Sequence, residues 1–209
     1  MHTDNNFPAA LQVLAFLGTA MVAGMLSLVT AYGLLRKKSW AKRTLALLAC
    51  GCGIYLMLLF GFSLGSHDIT LARGEEKYFC EIDCHLAYSV EDTKWVVDGD
   101  HESLAVILKT RFDAGTISSH RPKDASLTPN SREVKLIDAA GHEYRAIATP
   151  GTSLQQPLIP GEAYTTTLLF PVPQETSGLR LLITAPEGPV PLLIGNEMSL
   201  GHRKTYLGL

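Results

Sequence analysis

The residues with the most chemical potential fall in one short run, Tyr78-Phe79-Cys80-Glu81-Ile82-Asp83-Cys84-His85. Two cysteines stand four apart, a histidine follows the second, and two carboxylates lie between them. Four chemistries fit these residue types. A Cys80–Cys84 disulfide is favoured in an oxidising compartment. It needs a turn or bulge, because four residues of extended strand span about 13 Å, well beyond disulfide reach. A copper or zinc site is the second, since thiolates and imidazole suit both metals. Its ligands would be Cys80, Cys84 and His85, with Glu197, Met198 and His202 from the C-terminal tail as further candidates. Covalent haem is the third: the chain has Cys-x-x-x-Cys-His, one residue longer than the usual attachment pattern. It is the weakest of the cofactor readings, because no pocket helices are recognisable. The fourth is structural, with Cys80, Ile82 and Cys84 facing inward on one strand as small hydrophobes, alongside Tyr78, Leu86, Tyr88 and Val90. His85 would then lie on the opposite, polar face with Glu81 and Asp83. A shared metal excludes that regular strand and requires the tail to return to this end of the domain.

The elements that must position this cluster begin with the first 66 residues. Phe7 to Leu35 carries no charged side chain, and neither does Thr44 to Ser66. Each run meets the roughly 20 residues that a bilayer core requires, so two transmembrane helices are expected. The run Arg36-Lys37-Lys38-Ser39-Trp40-Ala41-Lys42-Arg43 separates them. Five Lys/Arg in a short loop place it in the cytoplasm by the positive-inside rule. Both termini then face outward from an inner or plasma membrane. A cleaved signal peptide is not expected, because no Lys or Arg precedes the first span and that span is too long. Ala20 and Gly24, and Ala49 and Gly53, have the spacing that lets helix backbones approach in lipid. The simpler use is packing of the two helices on each other; a membrane-protein partner is the alternative. Cys50 and Cys52 lie inside the second span as apolar fillers.

Residues 67–209 form the expected extracytoplasmic domain. Of 18 basic residues 13 remain here, against 19 of 20 acids, so its formal charge is −6. That disfavours nucleic acid and anionic lipid as partners. The patterning is β. Leu104, Val106, Leu108, Thr110 and Phe112 alternate, as do Tyr164, Thr166, Leu168 and Phe170. Val134–Ile137 and Glu143–Ala148 flank a turn at Asp138-Ala139-Ala140-Gly141, and Pro160-Gly161 marks another. Leu179–Thr184 and Val190–Ile194 are expected to add two strands. The expected inward set is Val106, Leu108, Leu136, Leu168, Phe170 and Leu182. Residues 113–133 read as a long, mobile loop. His67, His101, His120 and His142 each read as isolated surface histidines.

The order Lys135-Leu136-Ile137-Asp138-Ala139-Ala140-Gly141-His142-Glu143-Tyr144, then Leu158-Ile159-Pro160-Gly161-Glu162, then Leu169-Phe170-Pro171-Val172-Pro173, resembles the immunoglobulin-like (telokin-like) extracytoplasmic domains of bacterial membrane proteins and lipoproteins. The resemblance covers Tyr78 to Ile183 and implies a sandwich outside the cytoplasm, with no catalytic residues to transfer. The overall plan also resembles cytochrome oxidase subunit II, a two-helix anchor followed by an outer β-sandwich. That family's copper loop places two cysteines four apart with an acid between. Here the cysteines open the domain rather than close it, and the position four beyond Cys84 is Tyr88.

The expected fold is therefore two N-terminal transmembrane helices plus an all-β immunoglobulin-like sandwich, divided at 1–66 and 67–209. No Gly-rich phosphate loop or H-E-x-x-H occurs in the chain. The functional expectation is a non-enzymatic binding or accessory module with a candidate copper or zinc site. The alternatives are a structural subunit of a membrane complex with a Cys80–Cys84 disulfide, and an electron-transfer module carrying copper or haem.

Overall fold

The computed structural model describes the chain apart from residues 1, 5–8, 81–83, 99–100, 118–121, 123 and 186–189, and the side chains of residues 9, 98, 101 and 190. In chain order the elements are β1 (His2–Thr3), α1 (Ala9–Leu35), α2 (Ala41–Leu64), β2 (Ile69–Leu71), β3 (Lys77–Phe79), β4 (Leu86–Asp98), β5 (His101–Phe112), β6 (Glu133–Ile137), β7 (Glu143–Arg145), β8 (Ala163–Phe170), β9 (Arg180–Thr184) and β10 (Thr205–Gly208). They separate into two compact units. Met1–Asn5, Asp68–Glu187 and Lys204–Leu209 make one; Asn6–His67 and Gly188–Arg203 make the other. Residues 188–203 thus group with the helices rather than with the rest of the C-terminal domain.

The helices have 27 and 24 residues. At 1.5 Å per residue they are about 40 and 36 Å long, enough to cross a hydrocarbon core of about 30 Å. By length and composition both qualify as membrane spans, and most of their side chains are exposed. The less exposed positions of α1 are Gln12, Phe16, Thr19, Ala23, Leu26, Thr30 and Gly33. Their alternating steps of four and three form a coiled-coil-like seam against α2. On that seam Thr30 and Thr44 are joined through their hydroxyls at 3.0 Å. At Gly33 there is no room for a side chain: a Cβ there would stand 2.6 Å from the Trp40 ring and 2.9 Å from the Ala41 methyl group. The small-residue pairs read from the sequence are not on the seam. Ala20, Gly24, Ala49 and Gly53 are all exposed, and a Cβ on Gly24 or Gly53 would meet nothing within 4 Å. The reason is phase, since the seam runs through residues one position away from Gly24.

The other unit is a two-sheet β-sandwich. One sheet has the order β1-β3-β4-β5-β8 and the other β2-β10-β9-β6-β7. Val106, Leu108, Phe112, Leu168 and Phe170 of the first meet Leu136, Leu181, Ile183 and Leu207 of the second in one core. Alternation places them because successive strand residues face opposite sides. The β6–β7 turn falls where Asp138 to Gly141 predict it, with Gly141 at φ +89°, a conformation that only glycine adopts cheaply.

Three strand expectations are corrected. Leu182 is only partly buried, whereas Leu181 and Ile183 are fully buried. The apolar run Leu181-Leu182-Ile183 hides its own phase, and pairing of Leu136 with Leu181 decides it. Val190–Ile194 is no strand: Val190–Leu192 is a short 3-10 turn, in keeping with the prolines at 189 and 191, which cannot donate to a ladder. Finally, the chain from Tyr78 to Val90 is two antiparallel strands, β3 and β4, rather than one. In the 113–133 segment, Ala114–Thr116 forms a 3-10 turn and Leu127 bridges to Leu158.

The corrected phase is testable by denaturant unfolding of the full chain in mild detergent. Leu168→Ala and Leu181→Ala should each cost about 2–5 kcal/mol as buried truncations. Leu182→Ala should cost clearly less than Leu181→Ala; the reverse order would restore the phase read from the sequence.

Candidate functional site

The cysteine cluster sits at the reversal between β3 and β4. The strand ends at Phe79 and pairing resumes at Leu86, so Phe79 faces Leu86 directly. This brings the Cα atoms of Cys80 and Cys84 to 4.1 Å, and the two are joined as a disulfide. Glu81 and Asp83 lie outside the described residues. The N-terminal strand β1 runs parallel to β3, pairing His2 with Lys77 and Thr3 with Tyr78. Asp4 completes that contact: its N–H donates to the Tyr78 carbonyl at 3.1 Å, and its carboxylate accepts the Cys80 N–H at 3.0 Å.

His85 does not stand on a solvated polar face. It is 3% exposed, with its ring 5.5 Å from that of Phe112. Its Nδ1 lies 2.7 Å from the Thr116 hydroxyl, which itself donates to the Asp113 carbonyl. The hydroxyl proton being committed, Nδ1 is the donor to Thr116. The backbone reinforces the arrangement, with Asp113 N–H donating to the His85 carbonyl at 2.8 Å.

Beside the disulfide lies a group that the sequence reading missed. Tyr78 pairs with Ala87, and Ala87 with Arg111, in one cross-strand row. Ala87 carries only a methyl group, so the long side chains on either side of it meet above it. The Arg111 guanidinium grips Glu76 through two hydrogen bonds of 2.6 Å, donates to the Tyr78 hydroxyl at 2.8 Å, and reaches Asp113 at 3.2 Å. The Tyr78 hydroxyl lies 2.7 Å from Asp113 and 2.9 Å from Glu76. The only sequence signal was spacing: Glu76-x-Tyr78 and Arg111-x-Asp113 each keep a pair on one face, but their meeting depends on register.

The electrostatics describe a closed network. Hydrogen bonding to Arg111 holds the Glu76 carboxyl below its ordinary range, and the Tyr78 hydroxyl does the same for Asp113. Burial first, and then the two carboxylates, push the Tyr78 phenol upward, so it stays neutral. Every member is spent on another, which suits a clamp better than a nucleophile or base. A third carboxylate, Asp138, caps the β6–β7 turn. Burial opposes its ionisation, yet hydrogen bonds from the His142 side chain and N–H and from Tyr144 bring it down to about 2. His142, expected to be isolated, is therefore part of a turn cap.

The candidate metal ligands divide between the two units. Cys80, Cys84 and His85 belong to the sandwich unit; Glu197, Met198 and His202 belong to the helical unit. Glu197 is buried, Met198 N–H donates to the Asn196 side chain, and His202 Nδ1 donates to the Arg203 carbonyl at 2.7 Å. Bonded sulfurs offer no thiolate, so copper, zinc or haem attachment at Cys80 and Cys84 requires their prior reduction. Among the described residues no group of three or more His, Cys, Asp or Glu is arranged to hold a metal ion.

No family model and no curated protein matches the chain. Among solved structures, MPT63, a secreted protein from Mycobacterium tuberculosis, aligns with a TM-score of 0.40 at 18% identity. The alignment covers 58% of this chain and 92% of that one.

Two outcomes follow from the clamp and the disulfide. Glu76 and Asp113 ionise more readily folded than unfolded, so their stabilisation is present above the ordinary carboxylate range and lost as pH falls through the folded values. Glu76→Gln should lower stability near neutral pH by about 1–3 kcal/mol. It should also flatten the loss of stability below about pH 4.5, near the unfolded value of a Glu. An unchanged acid slope would remove Glu76 from the clamp. Replacing both Cys80 and Cys84 by Ser opens a very short loop and should cost about 2 kcal/mol of chain entropy in unfolding measurements.

Proposed function

We propose that this chain is a membrane-tethered, extracytoplasmic β-sandwich that acts as a non-enzymatic binding or accessory module. The observation that carries the reading is the pairing of β1 with β3. Residues 2 and 3 precede α1, and β3 follows α2, yet both lie in one sheet. If the helices cross a membrane, they must cross and return, leaving the sandwich and the N-terminus together on one face. The loop with Arg36, Lys37, Lys38, Lys42 and Arg43 then lies on the opposite face, the cytoplasmic one by the positive-inside rule. A disulfide in the sandwich agrees with that direction, because disulfides persist in oxidising compartments.

The non-enzymatic part rests on chemistry already committed. The bonded sulfurs, the neutral Tyr78 and the doubly gripped Arg111 hold the β3–β4 corner in one geometry. A rigid, tethered sandwich presents loops to a partner in the periplasm or at the cell surface. A second reading, a structural subunit of a membrane complex, is favoured by the helix faces carrying Ala20, Gly24, Ala49 and Gly53. These small residues are exposed and unused by the α1–α2 seam, and such surfaces suit another transmembrane helix.

Topology is tested with single cysteines in a chain whose Cys50 and Cys52 are Ala. Ser126→Cys should react with a membrane-impermeant maleimide in intact cells, and Ser39→Cys only after lysis. The opposite pattern would reverse the orientation, and reaction of both or neither before lysis would remove the hairpin.

A further inference from the structure

We propose that residues 190–203 form a membrane-interface segment, a compact knot seated at the bilayer boundary beside α2 with Leu192 and Leu200 turned to lipid. The inference rests on reading α1 and α2 as membrane spans. It goes beyond that reading by assigning a second, non-helical element of the chain to the membrane.

The first observation is an inverted burial pattern. Asn196, Glu197 and Ser199 are 9%, 3% and 3% exposed, while Leu192 and Leu200 are 39% and 48% exposed. A water-soluble loop of this composition would bury its leucines and solvate its carboxylate and amide. The knot satisfies its backbone internally instead. Leu200 N–H donates to the Pro191 carbonyl, Ser199 N–H to the Asn196 carbonyl, and His202 N–H to the Ser199 carbonyl, each at 3.0 Å. The Ser199 hydroxyl caps the Leu193 carbonyl, and the Asn196 side chain takes the Met198 N–H. Backbone polar groups closed on one another are what a low-dielectric medium demands.

The second observation is depth. The Tyr55 hydroxyl donates to the Leu192 carbonyl at 2.6 Å. Tyr55 lies nine residues before Leu64, the last residue of α2, or about 13 Å down the axis. A helix of this length overhangs a 30 Å core by only about 3 Å at each end. The Tyr55 backbone is therefore about 10 Å beneath the hydrocarbon boundary, and its phenol holds the Leu192 carbonyl. The knot is fastened again at the helix end, where Arg203 N–H donates to the Ser66 hydroxyl at 2.9 Å and Gly201 faces Ser63. The partner of this surface is the lipid of the leaflet next to the sandwich, engaged through Leu192 and Leu200.

The test uses the full chain in phosphatidylcholine vesicles, with Cys50 and Cys52 as Ala and the Cys80–Cys84 disulfide intact. An environment-sensitive fluorophore is placed on Leu192→Cys, with Met57→Cys on exposed α2 and Ser126→Cys on the sandwich as references. The Leu192 probe should emit further to the blue than the Ser126 probe, be quenched by lipid carrying a shallow nitroxide, and be protected from aqueous iodide. Leu192 behaving like Ser126 while Met57 is quenched by deep nitroxide lipid would overturn the inference and leave the anchor standing. Met57 behaving like Ser126 would overturn the anchor, and the inference with it. Tyr55→Phe should raise iodide quenching at Leu192 without altering Met57; no change would overturn Tyr55 as the tether.

Discussion

Lys77 buries its ammonium inside the sandwich, at 0% exposure, and this demand organises the fold around it. A charge in a protein interior is tolerated only with close partners. Lys77 donates to the carbonyls of Ile183 and Thr205 in the opposite sheet, at 2.9 and 3.0 Å, and its ammonium lies 5.0 Å from the centre of the Phe79 ring. Strand side chains alternate, so Lys77 pointing inward forces Tyr78 outward. A slip of one residue would expose the ammonium and drive the Tyr78 phenol into the core. The Glu76–Tyr78–Arg111–Asp113 clamp on the outer face would be lost in the same step. Two polar arrangements on opposite faces of one strand thus specify a single register. The disulfide, set at the turn just beyond β3, holds the reversal that both need.

That register also bears on how the chain meets the membrane. The strand that carries Lys77 and Tyr78 is flanked by β1, formed by residues that precede the helices. β10, formed by residues 205–208, lies between β2 and β9. The sandwich is therefore completed at both ends of the chain by short strands next to the helical unit in sequence. Neither strand is long enough to persist alone, since isolated two-residue and four-residue strands bury too little to offset their ordering. Their pairing depends on the neighbouring strands of the sandwich.

What the sequence made legible was whatever a single segment decides. The charge-free runs announced α1 and α2, and the alternation of Leu104 to Phe112 and of Tyr164 to Phe170 announced β5 and β8. The Asp138 to Gly141 turn was equally local. What stayed hidden depended on partners distant in sequence. The phase of Leu181 and Leu182 is set by Leu136. The clamp exists because Ala87 lies between Tyr78 and Arg111, a fact of register and not of spacing. The glycines in the helices were read by their spacing, but spacing says only that a close approach is available, not on which face it is used. Of the six candidate ligands, Cys80 and Cys84 stay open in the sequence among four readings, of which the disulfide is the one found. The tail residues Glu197, Met198 and His202 were joined to them by chemistry alone, with no geometric argument for proximity.

The two apolar runs near the C-terminus make the same point in energetic form. Leu179–Thr184 and Val190–Ile194 look alike by composition, and both were expected as strands. Hydropathy measures the gain from leaving water; it does not name the medium that receives the side chain. Leu181 and Ile183 leave water for the sandwich core, where facing strands supply both packing and backbone partners. The second run carries Pro191 and cannot join a ladder on both edges, so a sheet interior is closed to it. Turned back on itself, it satisfies its carbonyls through its own amides, Ser199 and the Tyr55 hydroxyl, and keeps its polar side chains inside. On the proposed membrane reading, the medium that receives Leu192 and Leu200 is lipid. One free-energy term thus yields a strand in one segment and a membrane knot in the next, with backbone hydrogen bonding deciding between them.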